Sequence, residues 1–535
     1  MANDRLWTPG TARNQSGPSR RGFVLGGLAA TASIGLLSAC SDDKASSAAS
    51  GGGSPKKGGT LTMALITSGT AETIVPAGAV NTPDQFRVYN LYDTLFRLDA
   101  NQTVVPSLAQ EATPNADASV WTFRLRKGVT WHNGKPLTAD DLVYTIGTWK
   151  SAKSGGSGAV KPFIDFAKVK KVDSLTVEIP LLISAAEFPS ILTRQPLSVI
   201  PAGQSITTGG DHVGTGPFKL KEFKPGVRSV FTANESYWDG VPHVDTLVID
   251  SSYQDETARL NALLSGAADL MPAMPFALAS AQKGRGNVNV ISATSPSCQS
   301  LVMNCQVKPF TDVRVRQAMK LILDREKMVD TLVSGYGKPG TDLAPYGAPN
   351  FADDLVPQYD PERARALLKA AGQEDMIATI DTAAYQTGQV ESATFFQQQA
   401  KAAGLKVRIN KRDVSSYFNS PPWLSYPFST DAYQTLVSSL TTFAVNLLWS
   451  KSPYNESHWA TPESDKLLLA AMAETNPAAA KDKWHAFQKL QFDTGGYVIW
   501  GNMDYVDGLA ARVKGVSASP AGPLGGFRLH RAWLA

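Results

Sequence analysis

The chain contains 535 residues, of which 43% are hydrophobic, 9% aromatic and 18% charged. This length and composition are typical of a soluble globular protein with roughly two to four domains, and they exclude a mini-protein that depends on disulfides or metal for stability. The formal net charge of +4 is too small to indicate a nucleic-acid-binding protein.

The first element in the chain is a predicted export signal. Arg20 and Arg21 precede a mostly apolar run at residues 24–37. The run is shorter than the ~20 apolar residues of a transmembrane helix and has the proportions of a signal peptide. The paired arginines resemble the twin-arginine export signal, and the stretch Leu-Ser-Ala-Cys40 resembles the lipobox of bacterial lipoproteins. This resemblance implies a signal peptide at residues 1–39 and a lipid anchor on Cys40.

The segment after this signal is a predicted linker. Residues 40–57 are rich in Ser, Ala, Gly and Lys and have no periodic apolar pattern, so we expect them to be disordered. No later segment offers ~18 uninterrupted apolar residues, which places the rest of the chain outside the membrane. In such an oxidising compartment Cys298 and Cys305 could form a disulfide, but their odd separation in a strand-like run directs them to opposite faces. We predict two buried free thiols.

From Gly58 onward, strand-like and helix-like segments alternate, which predicts an α/β fold. Apolar and polar side chains alternate from Trp121 to Arg126, as in a half-buried strand, and Asn133-Gly134 then predicts a tight turn. Helices are predicted after the capping residues Thr138, Asp255, Asp312 and Asp360, and those after Asp255 and Asp360 are expected to end at Gly266 and Gly372.

No catalytic or metal-binding pattern is evident in the sequence. The six histidines are scattered, with no pair at the spacing that directs two imidazoles to one metal ion. Residues 128–135 resemble a phosphate-binding loop only superficially, because five residues separate the glycines where the motif has four. We therefore predict a binding protein and not an enzyme, with no catalytic residues, no metal site and no cofactor.

One segment carries a specific resemblance to a known family. The stretch from Trp121 to Tyr144 is similar, almost residue for residue, to the signature of the extracytoplasmic solute-binding proteins of ABC importers, in the peptide/nickel-binding family (family 5, dipeptide and oligopeptide type). Further matching segments follow the family's order through the rest of the chain: Gly58–Ala64, Gly214–Phe218, Tyr237–Trp238, Arg259–Gly266, Asp312–Ala318, Tyr359–Pro361 and Val513–Val516. Most of these segments determine the fold, so they identify the scaffold better than the ligand.

The resemblance implies a two-lobed, periplasmic-binding-protein-like α/β fold of type II, with a hinge and an interlobe cleft. Lobe I is expected at residues 58–308 and 500–535, with an extra subdomain at about 86–200, and lobe II at residues 309–499. The hinge crossings are expected near residues 304–308 and 499–502.

The resemblance also implies a function, which is capture of a dipeptide or oligopeptide in the cleft and its delivery to the permease and ATPase subunits of an ABC importer. The protein is expected to be a monomeric lipoprotein on the outer face of the cytoplasmic membrane, with no nucleic-acid partner. An oligosaccharide or a metal chelate is an alternative ligand, and a surface receptor for signalling peptides is an alternative role. A hydrolase on the same scaffold is disfavoured because no catalytic pattern is present.

In peptide-binding relatives, an aspartate of lobe II commonly pairs with the α-amino group of the peptide. By position, Asp431 is our candidate, with Trp423, Tyr426 and Tyr433 as aromatic walls. The sequence departs from the family here, because it lacks the Asp-Pro pair that relatives often show. A solvated loop acid or a helix cap is the alternative for Asp431, and core packing is the alternative for each aromatic side chain.

Overall fold

The computed structural model describes residues 54–151, 160–205, 207–418, 423–434, 439–452 and 454–535. The predicted export signal with Arg20 and Arg21, the predicted lipidation site Cys40 and most of the predicted linker lie outside these residues. All described residues belong to one unit, Ser54–Ala535. Within them, no helix has both the length and the apolar character needed to cross a membrane.

The strands of the described residues are β1 Thr60–Ile66, β2 Phe96–Leu98, β3 Val104–Pro106, β4 Ala109–Pro114, β5 Val120–Leu125, β6 Lys170–Lys171, β7 Thr176–Pro180, β8 Phe218–Lys224, β9 Arg228–Ala233, β10 Thr246–Tyr253, β11 Leu270–Met271, β12 Val288–Met303, β13 Gly337–Pro339, β14 Ile377–Ala383, β15 Lys406–Arg412, β16 Phe428–Tyr433, β17 Tyr497–Ala510, β18 Val513–Lys514 and β19 Trp533–Leu534.

The α-helices are α1 Thr82–Leu91, α2 Ala139–Ser151, α3 Phe188–Ile191, α4 Glu256–Ser265, α5 Phe276–Gln282, α6 Val313–Leu321, α7 Arg325–Val333, α8 Pro361–Ala370, α9 Gln389–Ala400, α10 Val414–Tyr417, α11 Leu440–Leu447, α12 Pro462–Met472, α13 Pro477–Thr494 and α14 Pro523–Gly526. Short 3-10 turns lie at Gly69–Ala71, Pro76–Gly78, Gln195–Leu197, Lys401–Ala403 and Trp423–Ser425.

All four predicted helices occur, and α4 and α8 have the expected caps at Asp255 and Asp360. In α4, for example, the Asp255 side chain accepts a hydrogen bond from the Ala258 backbone N at 2.8 Å, and Gly266 ends the helix with a φ of 79°. The helix predicted after Asp312 was expected to include Ile322 and Leu323, but it ends at Leu321, because Asp324 caps a second helix, α7.

One mixed sheet of eleven strands joins both halves of the molecule. Its strand order is β15-β14-β16-β12-β17-β11-β1-β10-β9-β8, and β13 also pairs with β17. We call the part that carries β1 and β8 to β11 lobe I, and the part that carries β14 to β16 lobe II. Helices pack on the sheet in both lobes, which makes the architecture a two-lobed α/β fold.

The antiparallel strands β12 and β17 run through both lobes. Their pairing from Val288↔Ala510 to Thr294↔Asp504 lies beside lobe I, and their pairing from Cys298↔Asn502 to Val302↔Tyr497 lies beside lobe II. The register shifts between these two stretches. Each strand therefore contributes one half to each lobe.

A separate sheet of four strands, in the order β4-β5-β7-β6, forms a small subdomain. Trp121 of β5 and Trp149 of α2 fill its core, as the alternating pattern and the helical spacing predict. This core continues without a break into lobe II, where Phe443 of α11 and Trp484 of α13 belong to the same buried cluster. The subdomain is thus packed against lobe II.

The two described cysteines are both free thiols. Cys298 lies in β12 and is buried, whereas Cys305 lies beyond the end of that strand and is only partly buried. The prediction of two buried thiols is therefore correct for Cys298 and wrong for the burial of Cys305.

The segment Gly214–Phe218, one of those that carry the family resemblance, has a steric role. A Cβ atom on Gly214 would lie 1.7 Å from the Leu91 carbonyl oxygen, and one on Gly216 would lie 2.6 Å from the Leu91 carbonyl carbon. The Gly216 backbone N also donates a hydrogen bond to the Leu91 carbonyl oxygen at 3.0 Å. Only glycine permits this approach to the end of α1.

We predict that Gly214→Ala lowers the free energy of unfolding by about 3 kcal/mol, because the new methyl group would overlap backbone atoms that have no room to move. Urea unfolding followed by circular dichroism measures the effect.

Gly147→Ala is the matched control, since Gly147 is exposed in the middle of α2 and a Cβ atom there would meet nothing within 4 Å. We expect that variant to be stabilised by about 0.5–1 kcal/mol. Equal effects of the two substitutions would refute the steric role of Gly214.

Candidate functional site

Asp431 lies in the interior of lobe II, on β16, opposite Ser300 of β12. Asp431 is only 4% exposed to solvent. The carboxylate accepts hydrogen bonds from the Tyr385 hydroxyl at 2.6 Å, from the Trp423 indole N–H at 3.3 Å and from the Ala432 backbone N at 2.6 Å. Asp431 is therefore held in a fixed position by the sheet and by aromatic side chains.

A second carboxyl group, that of Glu456, lies beside Asp431. Glu456 is 3% exposed, and its Oε1 accepts a hydrogen bond from the Tyr433 hydroxyl. Its Oε2 is buried and has no hydrogen-bond partner among the described residues. None of the ion pairs between described residues includes either carboxyl group. The pair therefore has no basic side chain of the described residues to neutralise its negative charge.

Burial and proximity shift the pKa values of this carboxyl pair. Burial raises the pKa of Asp431, although the hydrogen bond from Tyr385 opposes the shift. Burial, together with the neighbouring Asp431 charge, raises the pKa of Glu456 well above its usual range. Two neighbouring buried carboxyl groups favour one retained proton over two negative charges.

Aromatic side chains surround the carboxyl pair. Tyr433 packs edge-on against Tyr497, with ring centroids 5.9 Å apart. Tyr385 stacks on Tyr417 at 5.9 Å. The site thus has a negative centre inside an aromatic wall, which suits a cationic group that must be removed from water.

Of the residues predicted from the sequence, Trp423 and Tyr433 contact the carboxyl pair directly, as described above. Tyr426 lies further away. Its hydroxyl donates to the Tyr417 backbone oxygen at 3.3 Å, and the Arg412 guanidinium lies 4.8 Å from its ring centroid. Tyr426 therefore packs behind Tyr417 and makes no hydrogen bond with Asp431.

Sequence reasoning missed Glu456 and Tyr385. Glu456 lies in a loop between α11 and α12, where no periodic pattern or motif distinguishes it from any other polar residue. Tyr385 follows the end of β14 and reaches Asp431 only because β14 and β16 are neighbours in the sheet. No local signal could have identified either residue.

The small subdomain also makes hydrogen bonds to lobe II. Glu187, at the start of α3 in the small subdomain, accepts a hydrogen bond from the Thr441 hydroxyl of lobe II at 2.9 Å. The Ala186 backbone N donates to the Met472 carbonyl oxygen at 2.7 Å. These contacts hold the subdomain against lobe II.

Among the described residues, no group of three or more His, Cys, Asp or Glu side chains is arranged to hold a metal ion. The carboxyl pair itself offers negative charge and hydrogen-bond acceptors to a cationic group.

Comparison with known proteins gives consistent matches over most of the chain. Residues 103–455 match the family described as "Bacterial extracellular solute-binding proteins, family 5 Middle". The chain is 27% identical over 475 residues to the dipeptide-binding protein of Escherichia coli K12, a match that covers 81% of this chain and 87% of that relative.

Two solved structures illustrate the similarity of fold. The ABC transporter substrate-binding protein CtaP of Listeria monocytogenes superposes with a TM-score of 0.78 at 23% identity, covering 90% of this chain and 100% of that one. The periplasmic binding protein DppA of Helicobacter pylori, in complex with the peptide STSA, gives a TM-score of 0.73 at 21% identity, covering 90% and 98%. These similarities confirm the predicted two-lobed, periplasmic-binding-protein-like α/β fold.

We predict that Glu456→Gln weakens the pH dependence of stability. A carboxyl group with a raised pKa keeps its proton in the folded state, so its contribution is complete below the ordinary value of about 4.5 and is lost as the pH rises towards the folded value. The wild type should therefore lose stability relative to the variant above about pH 4.5, by up to ~1.4 kcal/mol per pH unit. Urea unfolding at intervals from pH 4.5 to 8 measures the difference.

Glu463→Gln serves as the control, because Glu463 is exposed at the start of α12. It should retain the wild-type dependence of unfolding free energy on pH. Parallel curves for the wild type and Glu456→Gln would show that Glu456 holds no extra proton in the folded state.

Proposed function

Because this chain belongs to family 5 of the bacterial extracellular solute-binding proteins, we propose that it captures peptides between its lobes and delivers them to an ABC importer. The dipeptide-binding relative covers most of both chains, and a peptide complex is known for one structure of the same fold. The permease and ATPase subunits of the importer are the proposed protein partners. The relatives are binding proteins rather than enzymes, in agreement with the prediction from the sequence.

The observation that carries the peptide proposal is the buried carboxyl pair of Asp431 and Glu456. A buried negative charge without a base is costly unless a positive group pairs with it. The α-amino group of a peptide supplies such a group, with three N–H donors for the carboxylate oxygens. A neutral oligosaccharide would leave the charge of the pair uncompensated.

We place the hinge of this protein where β12 and β17 pass from one lobe to the other, between Thr294 and Cys298 and between Asn502 and Asp504. The register shift at this point supports the placement. So does Asn502, which is fully buried while its side-chain nitrogen and oxygen both lack a hydrogen-bond partner among the described residues. This proposal replaces the hinge crossings predicted from the sequence. The first moves from residues 304–308 to residues 294–298, and the second moves from residues 499–502 to residues 502–504.

We further propose that the protein is exported through its twin-arginine-like signal at Arg20 and Arg21 and is anchored by lipid on Cys40. Anchoring would keep the binding lobes at the outer face of the cytoplasmic membrane, close to the permease. Stable tethering needs more than one acyl chain, because a single chain gives only marginal membrane binding.

The first test compares ligand classes by thermal shift on the wild type and on Asp431→Asn. Peptides of two to six residues with free amino groups should raise the melting temperature of the wild type, since a ligand at 100 times its Kd adds ~2.7 kcal/mol to stability. Asp431→Asn should weaken their binding about 10- to 100-fold and should affect N-acetylated peptides much less, because only the free amino group carries the charge.

Asp482→Asn is the matched control for the lost charge, because Asp482 is an exposed aspartate of lobe II on α13. It should bind peptides like the wild type. A shift with oligosaccharides or nickel chelates and none with peptides would refute the peptide proposal, and equal losses for free and acetylated peptides would remove the proposed role of Asp431.

The lipid anchor has its own test. Cys40→Ser should abolish metabolic labelling with radioactive palmitate and move the protein from the membrane fraction to the soluble fraction, because no other residue of the predicted lipobox can accept the lipid. Cys305→Ser should keep both the label and the membrane location. Continued labelling of the Cys40 variant would refute the assignment.

A further inference from the structure

The buried carboxyl pair of Asp431 and Glu456 has more hydrogen-bond acceptors than donors. Glu456 Oε1 accepts a hydrogen bond from the Tyr433 hydroxyl, but Oε2 has no donor among the described residues. An ionised carboxylate can only accept hydrogen bonds, so an ionised Oε2 would be left unsatisfied in the interior. A proton on Oε2 turns the same oxygen into a donor, and the neighbouring Asp431 carboxylate is an acceptor.

The electrostatics of the pair assign the proton to the same side chain. Burial, together with the charge of Asp431, raises the pKa of Glu456 well above its usual range. Asp431 accepts hydrogen bonds from the Tyr385 hydroxyl, the Trp423 indole N–H and the Ala432 backbone N, which stabilise its ionised form. The pair therefore consists of a carboxylate at Asp431 and a neutral carboxyl group at Glu456.

A second unpartnered polar atom lies on the same face of the sheet. Ser300 of β12 is directly opposite Asp431 of β16, and opposite residues of an antiparallel pair direct their side chains to the same face. Ser300 is 1% exposed, and its Oγ atom has no hydrogen-bond partner among the described residues. Buried polar atoms in proteins are nearly always paired, so Ser300 Oγ and Glu456 Oε2 are both suited to bonding with a ligand.

The other titratable side chains around the pair stay neutral near neutral pH. Burial raises the pKa of each of them, and they lie on every strand and helix beside the pair: Tyr433 on β16, Cys298 on β12, Tyr497 on β17, Tyr385 after β14 and Tyr417 on α10. His458, in the same loop as Glu456, has its Nε2 atom 2.7 Å from the Leu424 carbonyl oxygen. The carboxyl pair is therefore the part of this cluster that can exchange a proton.

We propose that Glu456 holds a proton in the empty site and that the ammonium group of a captured peptide replaces this proton. The O–H bond of the Glu456 carboxyl group breaks, and the proton passes to water. The three N–H donors of the ammonium group then bond to Asp431, Glu456 and Ser300. The site carries a single net negative charge before and after capture. This inference rests on the proposed function, which supplies the ammonium group.

The incoming positive charge removes the reason for keeping the proton. The charge of Asp431 disfavours the ionisation of Glu456, and a cation beside both groups acts in the opposite direction. A neutral ligand brings no such compensation, so Glu456 would keep its proton and offer that ligand one acceptor fewer. Glu456 is thereby a specificity-determining residue that favours cationic groups over neutral ones.

The exchange makes capture dependent on pH. Below the raised pKa of Glu456, each bound peptide releases a proton, so the affinity rises with pH by up to about tenfold per pH unit. Above that pKa the pair has already lost its proton, and the affinity levels off. The affinity falls again above about pH 8, where the amino group of the peptide loses its own proton.

Isothermal titration calorimetry counts the exchanged protons. The full-length wild-type protein is titrated at pH 6 with alanine peptides of two to six residues, in buffers that differ in their enthalpy of protonation. The slope of the measured enthalpy against the buffer enthalpy gives the number of protons released per peptide. At pH 6 an ordinary glutamate, with a pKa of about 4.3, is already ionised, and a peptide amino group, with a pKa of about 8, is still charged. We expect close to one proton per bound peptide.

Glu456→Gln has no carboxyl proton to exchange and should release almost none. Its Kd should stay within about twofold between pH 5.5 and 7, whereas the wild-type Kd should fall by about tenfold over the same range. Glu463→Gln is the matched control, because Glu463 is an exposed glutamate of lobe II on α12. It should keep the proton count and the pH dependence of the wild type.

Binding of the peptides without release of a proton would overturn the inference and leave the proposed function intact. An unchanged proton count in Glu456→Gln would also overturn it, because the proton would then come from another group. If Glu456→Gln fails to fold, N-acetylated alanine peptides on the wild type decide, since they carry no ammonium group and equal proton release by them would overturn the inference. Failure of the free peptides to bind the wild type at any pH would refute the proposed function and the inference together.

Discussion

The antiparallel pairing of β12 with β17 is the constraint on which the rest of the structure depends. Both strands pass from lobe I to lobe II side by side, and each lobe builds its part of the sheet on one half of this pair. Strand β16, which carries Asp431, is in place because it pairs with β12 from Cys298 to Met303. On the other side of the register shift, β17 pairs with β11 of lobe I.

The candidate site differs from the scaffold in how its buried charges are compensated. In the scaffold, Arg87 is removed from water together with Glu72, and the buried carboxylate of Asp507 accepts hydrogen bonds from the backbone N–H groups of Ala273 and Leu524. In the candidate site, Asp431 and Glu456 share their surroundings with tyrosine and tryptophan donors but with no base. A chain selected only for stability would gain by replacing such groups, since an unpaired buried charge opposes folding. Their presence is consistent with a role in binding that is met only when a ligand arrives.

Much of the fold could be predicted because its signals are local. The alternation of apolar and polar side chains predicted β5. The cap at Asp255 and the stop at Gly266 predicted α4. Ile322 and Leu323 were wrongly assigned to the helix after Asp312, because the apolar pattern continues across the break before Asp324, where a new cap begins a second helix. The two-lobed arrangement was inferred from the resemblance of ordered segments, since no local pattern specifies how distant strands pair.

The candidate site could be predicted only in part. Asp431 was found by its position relative to the family, and Trp423 and Tyr433 by their closeness to it in the sequence. Glu456 is identified only by its neighbours after folding, Asp431 and Tyr433, and no sequence pattern reports them. Glu456 lies in a loop and Asp431 in β16, so only the tertiary structure relates them.

The paired strands between the lobes also restrict how the cleft can move. Sliding β12 along β17 by one residue would turn every side chain of the moved strand to the opposite face and break the ladder on both sides of the register shift. Bending or twisting at the shift leaves both ladders intact. The lobes should therefore change their separation and their relative tilt, while their lateral alignment stays fixed. The size of a bound solute would then set the angle between the two lobes.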